Sequence, residues 1–360
     1  YTAFLKRRNV SFIQFVTYRE TVSFKKRNPR YNERYKDMKK ITQCIFLIAA
    51  VFALQACKTD KGGETPAASA VPESKEQPAA TVIDTDKPIL RFGYMICDSR
   101  KLSEERFAPF TAYLEEKLGR RVEMILENTF EFERLVKKKE VDFFHVNSIV
   151  AVLLKEKYKS DLLAIDIRGR HGYKASGALI ARKDSGIKTI EDMRGKSMVF
   201  GPAMAPFGYM AQYALLLDNN FDPETDFSSY TIPSGAAKHD KVIYGVEYGK
   251  YDIGAAPRID LDRLLEEDII NINDYNIIAE SDPMPYCTVG ARQEVDAALK
   301  EQVKNILLNL KDDEVATVDG ESLKVLKRML IEGFAPVVDS VYDAIREDLK
   351  QCNMPPYDSY

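Results

Sequence analysis

Residues 197–217 read SMVFGPAMAPFGYMAQYALLL, the pattern of a short strand, a glycine-containing loop and a helix. The strand is apolar and ends at Gly201, while residues 207–217 carry apolar side chains at helical spacing. Pro206 suits the first helical position, where the amide has no partner within the helix. Free N–H groups at such a helix start can hold an anion or a carbonyl group. An ordinary buried joint between a strand and a helix is the alternative.

The stretches on both sides of this segment alternate strands with helices. Strands are predicted at residues 88–96, 121–127, 141–146, 162–167, 228–232, 251–255, 275–279 and 286–291. Helices are predicted at residues 103–117, 130–139, 147–158 and 238–248, and the end from 294 to 349 is predicted to be helical with a break near 319–321. This alternation indicates an α/β protein with mostly parallel sheets.

Two extended crossings, near residues 173–178 and 278–286, predict two lobes joined by a two-strand hinge. The first lobe would comprise residues 88–174 and 280–360, and the second lobe residues 175–279. In open α/β sheets, ligands bind outside the carboxyl ends of the strands. The sequence therefore predicts a ligand cleft between the lobes.

Composition and charge limit the class of protein. The chain has 360 residues, of which 45% are hydrophobic, enough for two domains with real cores. The net charge is −3, and since residues 1–57 carry +9, the remainder carries −12. Nucleic-acid surfaces need clustered Lys and Arg, so an acidic body argues against a nucleic-acid partner.

The N-terminal part looks like a processing signal rather than a domain. Residues 1–37 are basic, without periodicity, and are interpreted as an extension outside the fold. Residues 38–56 combine a basic start with an apolar run, which is typical of a secretory signal peptide. Leu54-Gln55-Ala56-Cys57 resembles a lipobox, so Cys57 is predicted to be acylated; a plain signal peptide is the alternative. The polar residues 57–87 would then tether the domain to the lipid bilayer, at the periplasmic or outer face of a bacterial membrane.

Motifs for catalysis, metals or cofactors are not found. Beyond the signal and Cys57, the cysteines are Cys97, Cys287 and Cys352, whose wide spacing allows one disulfide of unspecified pairing but matches no metal motif. Neither a phosphate-binding loop, a dinucleotide fingerprint nor a serine elbow occurs. We therefore expect no catalytic residue, no metal and no cofactor.

Five blocks of sequence resemble the phosphate, phosphite and phosphonate type of periplasmic substrate-binding protein that serves ABC transporters. They are PILRFGYM (88–95), FAPFTAYLEEKLGRRVEMILENTFEFERLV (107–136), EVDFFHVNSIVAVLL (140–154), GYKASGALIARKDSGIKTIEDMRGKSMVFG (172–201) and GAAKHDKVIYGVEYGKYDIGAAP (235–257). The resemblance implies a two-lobed periplasmic binding protein of type 2 that closes on its ligand by hinge motion. It also implies a membrane permease as partner.

The segment at 203–208 departs from the family. Family members usually hold their oxyanion with Ser and Thr hydroxyls at this loop, whereas here it reads Ala203-Met204-Ala205-Pro206-Phe207-Gly208. Every hydroxyl is absent, and Pro206 also removes a backbone donor. Since burying an oxyanion without donors is costly, we expect the ligand to be neither phosphate nor phosphite nor a simple phosphonate.

The candidate ligand residues follow the strand ends, the crossings and this loop. They are Tyr94, Asn147, Ser148, Tyr173, Ser176, Met204, Phe207, Gly208, Tyr209, His239, Asp240 and Arg258. Several have plain structural alternatives: core packing for Tyr94 and for one of the two loop aromatics, and a helix cap for Asn147. His145 lies at the same strand exit, and the basic cluster of Arg168, Arg170, His171 and Lys174 is interpreted as a solvated surface.

The sequence therefore predicts a lipid-anchored solute-binding protein that captures a small ligand between two lobes for an ABC importer. A sensory lipoprotein of the same fold, signalling to a membrane receptor or kinase, is the alternative. An enzyme on this scaffold is the third hypothesis.

Overall fold

The computed structural model describes residues 83–96, 99–235 and 238–358, which form two larger β-sheets with helices packed on their faces and two sheets of two strands each. The predicted extension, signal peptide and lipidated Cys57 lie outside the described residues, as do most of the tether and Cys97. Among the residues that are described, no helix has the length and apolar character needed to cross a membrane.

The predicted alternation of strands and helices is largely confirmed. In chain order the strands are β1 (Leu90–Met95), β2 (Val122–Glu127), β3 (Phe143–Val146), β4 (Asp161–Ile167), β5 (Lys174–Ala175), β6 (Gly177–Arg182), β7 (Ser197–Val199), β8 (Ser229–Thr231), β9 (Ile253–Pro257), β10 (Tyr275–Glu280), β11 (Met284–Pro285), β12 (Thr288–Ala291), β13 (Val315–Val318), β14 (Glu321–Lys324) and β15 (Gly333–Pro336). The α-helices are α1 (Arg100–Leu118), α2 (Phe132–Lys137), α3 (Ser148–Tyr158), α4 (Ala211–Asp218), α5 (Lys238–Glu247), α6 (Arg258–Glu266), α7 (Ala297–Asn309), α8 (Val325–Met329) and α9 (Asp343–Gln351).

Local sequence explains where the helices begin and end. The Ser99 hydroxyl accepts a hydrogen bond from the amide of Leu102 and so starts α1. Gly119 then stops α1 in the left-handed conformation, with φ of 59°, which costs glycine little. Asn147 caps α3 in the same way as Ser99 caps α1. These caps place the start of α3 directly after β3.

The two sheets define two lobes. The first lobe has six strands in the order β15-β4-β12-β3-β1-β2, and the second has five in the order β10-β6-β9-β7-β8. Between them, β5 and β11 pair antiparallel, which confirms the predicted two-strand crossing. The prediction of mostly parallel sheets is wrong at β6, β12 and β15, which pair antiparallel with their neighbours. At β12 the cause is that the chain returns from the second lobe and inserts this strand between β3 and β4.

The C-terminal part differs from the predicted run of helix. Helices α7, α8 and α9 are present, but β13 and β14 form a hairpin between α7 and α8, and β15 joins the edge of the first sheet. The turn of the hairpin is Asp319-Gly320, both with positive φ, which is a strong hairpin signal between alternating residues. Pro336 is compatible with a strand only at an edge, and β15 is an edge strand.

One apolar core continues from the first lobe into the second. It contains Ile149 and Val152 of α3, Met210 directly before α4, and Ala214 within α4. The C-terminal helix α9 packs on both α3 and α4, and its Leu349 is part of the same core. Arg346 donates to Glu156 of α3 at 3.0 Å, and Gln351 donates to Asp218 of α4 at 2.6 Å. The last helix therefore fastens the lobes to each other.

Candidate functional site

The ends of the strands in the two lobes face each other, and a hydrogen bond connects them directly. The Asn147 side-chain amide donates to the carbonyl of Met204 at 2.8 Å, while its oxygen accepts from the amide of Val150 at 3.0 Å. Asn147 is thus both the helix cap that the sequence allows and a contact between the lobes. The side chain is buried, so neither bond competes with bulk water.

Two backbone amides of the loop at 201–208 donate to carbonyl groups of the same loop. The amide of Gly201 donates to the carbonyl of Gly208 at 2.6 Å, and the amide of Ala205 donates to that of Pro202 at 2.8 Å. Pro206 begins a π-helical turn, Pro206–Met210, that leads into α4 and confirms the predicted helix start. These two internal bonds occupy the amides of Gly201 and Ala205, which are then not available to an anion.

His239 of α5 covers the glycines of this loop. A Cβ atom added to Gly208 would lie 2.6 Å from the Cε1 atom of His239, and one added to Gly201 would lie 3.0 Å from its Nδ1 atom. Only glycine permits so close an approach of the imidazole ring to the loop backbone. The place where the sequence predicts an anion is therefore in contact with a protein side chain.

Apolar and aromatic side chains fill the space next to the loop. Phe207 is only 2% exposed and stacks on Tyr286 of the first lobe, with ring centroids 6.0 Å apart. The guanidinium of Arg168 lies 4.3 Å from the centroid of the Tyr286 ring on the same side of the interface. Met204 is also buried.

An open groove lies away from this loop. It has a volume of about 680 Å³ and is found on the outer face of the first lobe, between α1 and α7.

A cluster of ionic side chains closes the interface near the hinge. Asp262 of α6 accepts from Arg258 at 3.1 Å, lies 2.5 Å from Arg170, and lies 2.8 Å from the Nε2 atom of His171. Burial alone would raise the pKa of Asp262, but hydrogen bonds from Arg170 and Arg258 lower it below its usual range. Arg258 also pairs with Glu280. Its guanidinium, predicted to hold a ligand carboxylate, thus has two protein carboxylates as partners.

The basic cluster of Arg168, Arg170, His171 and Lys174 is not simply the solvated surface that we expect from the sequence. Arg170 forms an ion pair with Asp262 between the lobes, and the Nε2 atom of His171 lies 2.8 Å from the same carboxylate. Burial lowers the pKa of Arg168, but the nearby Tyr286, Cys287 and Asp166 outweigh it and raise that pKa. The sequence did not indicate Asp262 as the acidic partner of this cluster, because it lies about ninety residues away in the chain.

The remaining candidates lie in several different surroundings. Tyr94 stacks on Phe107 within the first lobe and accepts a hydrogen bond from Thr111. Burial raises the pKa of its hydroxyl, and this bond lowers it by less. Tyr209 stacks on Tyr213 in the core that reaches the second lobe. Ser148 is buried at the start of α3, and Tyr173 is exposed. Ser176 donates to Glu280 at 3.4 Å, and Asp240 accepts from Arg263 at 2.7 Å. Their roles in ligand binding stay predictions.

Three further polar side chains meet in the first lobe. The Nε2 atom of His145 lies 3.0 Å from both carboxylate oxygens of Asp166, and the thiol of Cys287 is within 4.8 Å of these groups. Sequence reasoning notes His145 but not its two neighbours. The register of β3, β4 and β12 brings them together, and the wide sequence spacing gives no motif. Cys287 and Cys352 are both reduced, and Cys97 is not described.

Comparison with known proteins identifies similar sequences and folds. Residues 92–342 match the family model described as "ABC transporter, phosphonate, periplasmic substrate-binding protein". Among solved structures, PhnD1 from Prochlorococcus marinus in complex with methylphosphonate is similar with a TM-score of 0.62 and 16% identity, over 74% of this chain and 98% of that one. A binding protein component of an ABC phosphonate transporter from Pseudomonas aeruginosa gives a TM-score of 0.60 and 19% identity, over 74% and 87%.

A third similar structure has a different type of ligand. A protein from Xanthomonas citri bound to ATP gives a TM-score of 0.59 and 20% identity, over 73% of this chain and 96% of that one. At these identities the structures show a shared fold and no more. That fold is the two-lobed α/β architecture predicted from the sequence.

Proposed function

The chain belongs to the family of periplasmic substrate-binding proteins of phosphonate ABC transporters, and from this premise we propose that its ligand is neither phosphate nor phosphite nor a simple phosphonate. The family makes it an extracytoplasmic binding protein for an ABC importer rather than an enzyme. The proposal concerns what it binds and how it is held at the membrane. We further propose residues 88–174 with 280–360, and 175–279, as the two lobes that close on the ligand.

The loop at 201–208 is the observation that carries this proposal. It offers no hydroxyl group, the Gly201 amide is bonded within the loop, and the His239 ring covers its glycines. An oxyanion placed here would lose water without gaining the donors that replace it. We expect the ligand to meet Met204, Phe207 and Asn147 instead, which favours a compound with an apolar or planar part and a polar group.

A binding screen with the full chain in detergent tests the proposal. We expect phosphate, phosphite and methylphosphonate to leave the melting temperature unchanged, because only a ligand that binds the folded state raises it. Carboxylates, amino acids and aromatic metabolites form the second part of the screen. A dissociation constant below about 10 μM for any of the three phosphorus anions, roughly −7 kcal/mol, would overturn the proposal.

Lipid attachment at Cys57 is a separate part of the proposal. Its support is the sequence alone: a basic start, an apolar run and Ala56-Cys57 in register, followed by a polar tether. Acylation would hold the domain near a membrane permease. We expect the Cys57→Ser variant to lose incorporated fatty acid and to leave the membrane fraction, whereas Cys352→Ser should keep both. Equal membrane association of the two variants would refute the anchor.

The sensory alternative gains support from one feature of the interface. Phe207 and Tyr286 stack, and Asn147 bonds to Met204, so the lobes contact each other through the protein's own side chains. A ligand that alters these contacts could change a surface read by a receptor or kinase. Uptake of a ligand that depends on this chain would favour transport, and a transcriptional response without uptake would favour sensing.

A further inference from the structure

Three metal-binding side chains lie on one face of three neighbouring strands in the first lobe. Strand β12 lies between β3 and β4, and Val289 pairs with His145 on one side and with Ala164 on the other. Because side chains alternate between the faces of a sheet, Cys287 and Asp166, each two residues away, share the face of His145. Strand register therefore brings together residues that are far apart in the sequence.

The donor atoms converge in a buried place. Nε2 of His145 lies 3.0 Å from both oxygens of Asp166, and the Sγ atom of Cys287 completes a group whose ligand atoms are all within 4.8 Å of one another. The exposed fractions of His145, Asp166 and Cys287 are 3%, 0% and 7%. Ligand bonds to Zn²⁺ measure about 2.0 to 2.3 Å, so a contraction of about 1 Å would allow all three to bind one ion.

We propose that His145, Asp166 and Cys287 form a binding site for a thiophilic divalent cation, for which Zn²⁺ is the probe. Imidazole, carboxylate and thiolate together suit zinc and similar ions, whereas magnesium and calcium prefer sets made of oxygen alone. Three protein donors leave one coordination position for water or another small ligand. The site is distinct from the loop at 201–208.

Charge and protons balance in this step. The ion forms bonds to Nε2 of His145, to one carboxylate oxygen of Asp166 and to Sγ of Cys287. The thiol proton of Cys287 leaves to solvent. The Nε2 proton that faces Asp166 without metal also leaves to solvent, while Nδ1 carries one proton, so that the metal-bound imidazole is neutral. The carboxylate and the thiolate then neutralise the charge of a divalent ion. We expect loading to be reversible.

Spectroscopy with cobalt tests the ligand set. We expect the full chain to give a thiolate-to-cobalt charge-transfer band with Co²⁺, and Zn²⁺ to displace it. The Cys287→Ser variant should lose the band and bind Zn²⁺ at least about 10-fold more weakly, the minimum typical of losing even an outer partner of a metal site. The matched control is Cys352→Ser, whose buried thiol lies 3.8 Å from the carbonyl of Met210. It should keep both signals.

A second measurement does not depend on variants that could fail to fold. Zn²⁺ should slow the alkylation of Cys287 in the wild-type chain by about 10-fold or more and leave the rate at Cys352 unchanged, as measured by mass spectrometry of the two peptides. The isosteric Asp166→Asn variant, with its fold verified by circular dichroism, should bind Zn²⁺ more weakly. The proposal is overturned if the wild-type chain gives no charge-transfer band, if the band survives Cys287→Ser, or if Zn²⁺ protects both thiols equally.

Discussion

Replacing Asn147 with aspartate separates the two roles of this side chain. The oxygen of Asn147 accepts from the amide of Val150, and its nitrogen donates to the carbonyl of Met204 in the other lobe. An aspartate keeps the first bond because a carboxylate also accepts. It removes the second bond and places a negative oxygen beside the Met204 carbonyl. The change therefore tests the bond between the lobes while leaving the helix cap in place.

The expected loss follows from two costs and one gain. A buried acceptor left unpaired costs about 1 to 3 kcal/mol. Burial of the new carboxylate, at a position that is 7% exposed, adds to that cost, whereas the helix dipole at the start of α3 returns about 0.3 to 1 kcal/mol. We therefore expect Asn147→Asp to lower the free energy of unfolding by at least about 1 kcal/mol at pH 8. At acid pH the loss should shrink, because a protonated carboxyl group can donate to Met204.

Urea denaturation of the wild type and two variants measures this difference. The control is Asn128→Asp, since Asn128 also caps a helical turn, where it accepts from the amide of Phe130 two residues on, but is exposed. We expect its free energy of unfolding to stay within about 0.5 kcal/mol of the wild type. If Asn147→Asp is as stable as this control at pH 8, the bond between the lobes contributes nothing and the reasoning is wrong.

Two further variants test the interface and the last helix by urea denaturation. Phe207→Ala should lower the free energy of unfolding by about 3 to 5 kcal/mol, because removal of the stacked ring leaves a cavity. The control Phe130→Ala should change it little, because Phe130 is 48% exposed in the wild type. Similar losses in the two variants would contradict the packing of Phe207. The pKa of Asp348 is raised to about 7, mainly by burial and to a smaller extent by repulsion from Asp218 and other carboxylates. The folded chain therefore binds more protons than the unfolded chain between about pH 4 and 7. Stability should fall as pH rises through that window, by at most roughly 4 kcal/mol. Asp348→Asn should remove this fall and the exposed control Asp312→Asn should not, and an unchanged slope in the first variant would count against the assignment.

The fold could be predicted from sequence because its signals are local. Apolar runs of strand length, the helix starts at Ser99 and Asn147, and the two extended crossings each depend on a few adjacent residues. The same reasoning missed the hairpin of β13 and β14, although Asp319-Gly320 is a turn signal, because we interpreted it as a break between helices. It also missed β15, whose residues gain their strand structure only by pairing with β4.

The candidate site was harder to predict because the directions of side chains are not local. Every position of β1 except Arg91 is buried, so no alternation indicates which face of that strand meets the cleft. The sequence therefore identifies Tyr94 as a candidate, but it does not show that the side chain points into the core. In the same way, Asp262 and Cys287 gain their partners from strand order and lobe contact. Spacing along the chain contains neither kind of information.

The position of α9 has a consequence for the order in which the molecule can be assembled. This helix follows every strand of both sheets in the chain, yet Leu349 fills the core between α3 and α4, and Gln351 bonds to Asp218. A growing chain forms its early domains first, at a rate set by synthesis. The sheets of both lobes can thus form from residues that precede α9. The contacts of α9 with α3 and α4 then add to the Asn147–Met204 bond and the Phe207–Tyr286 stack, which join the lobes without it.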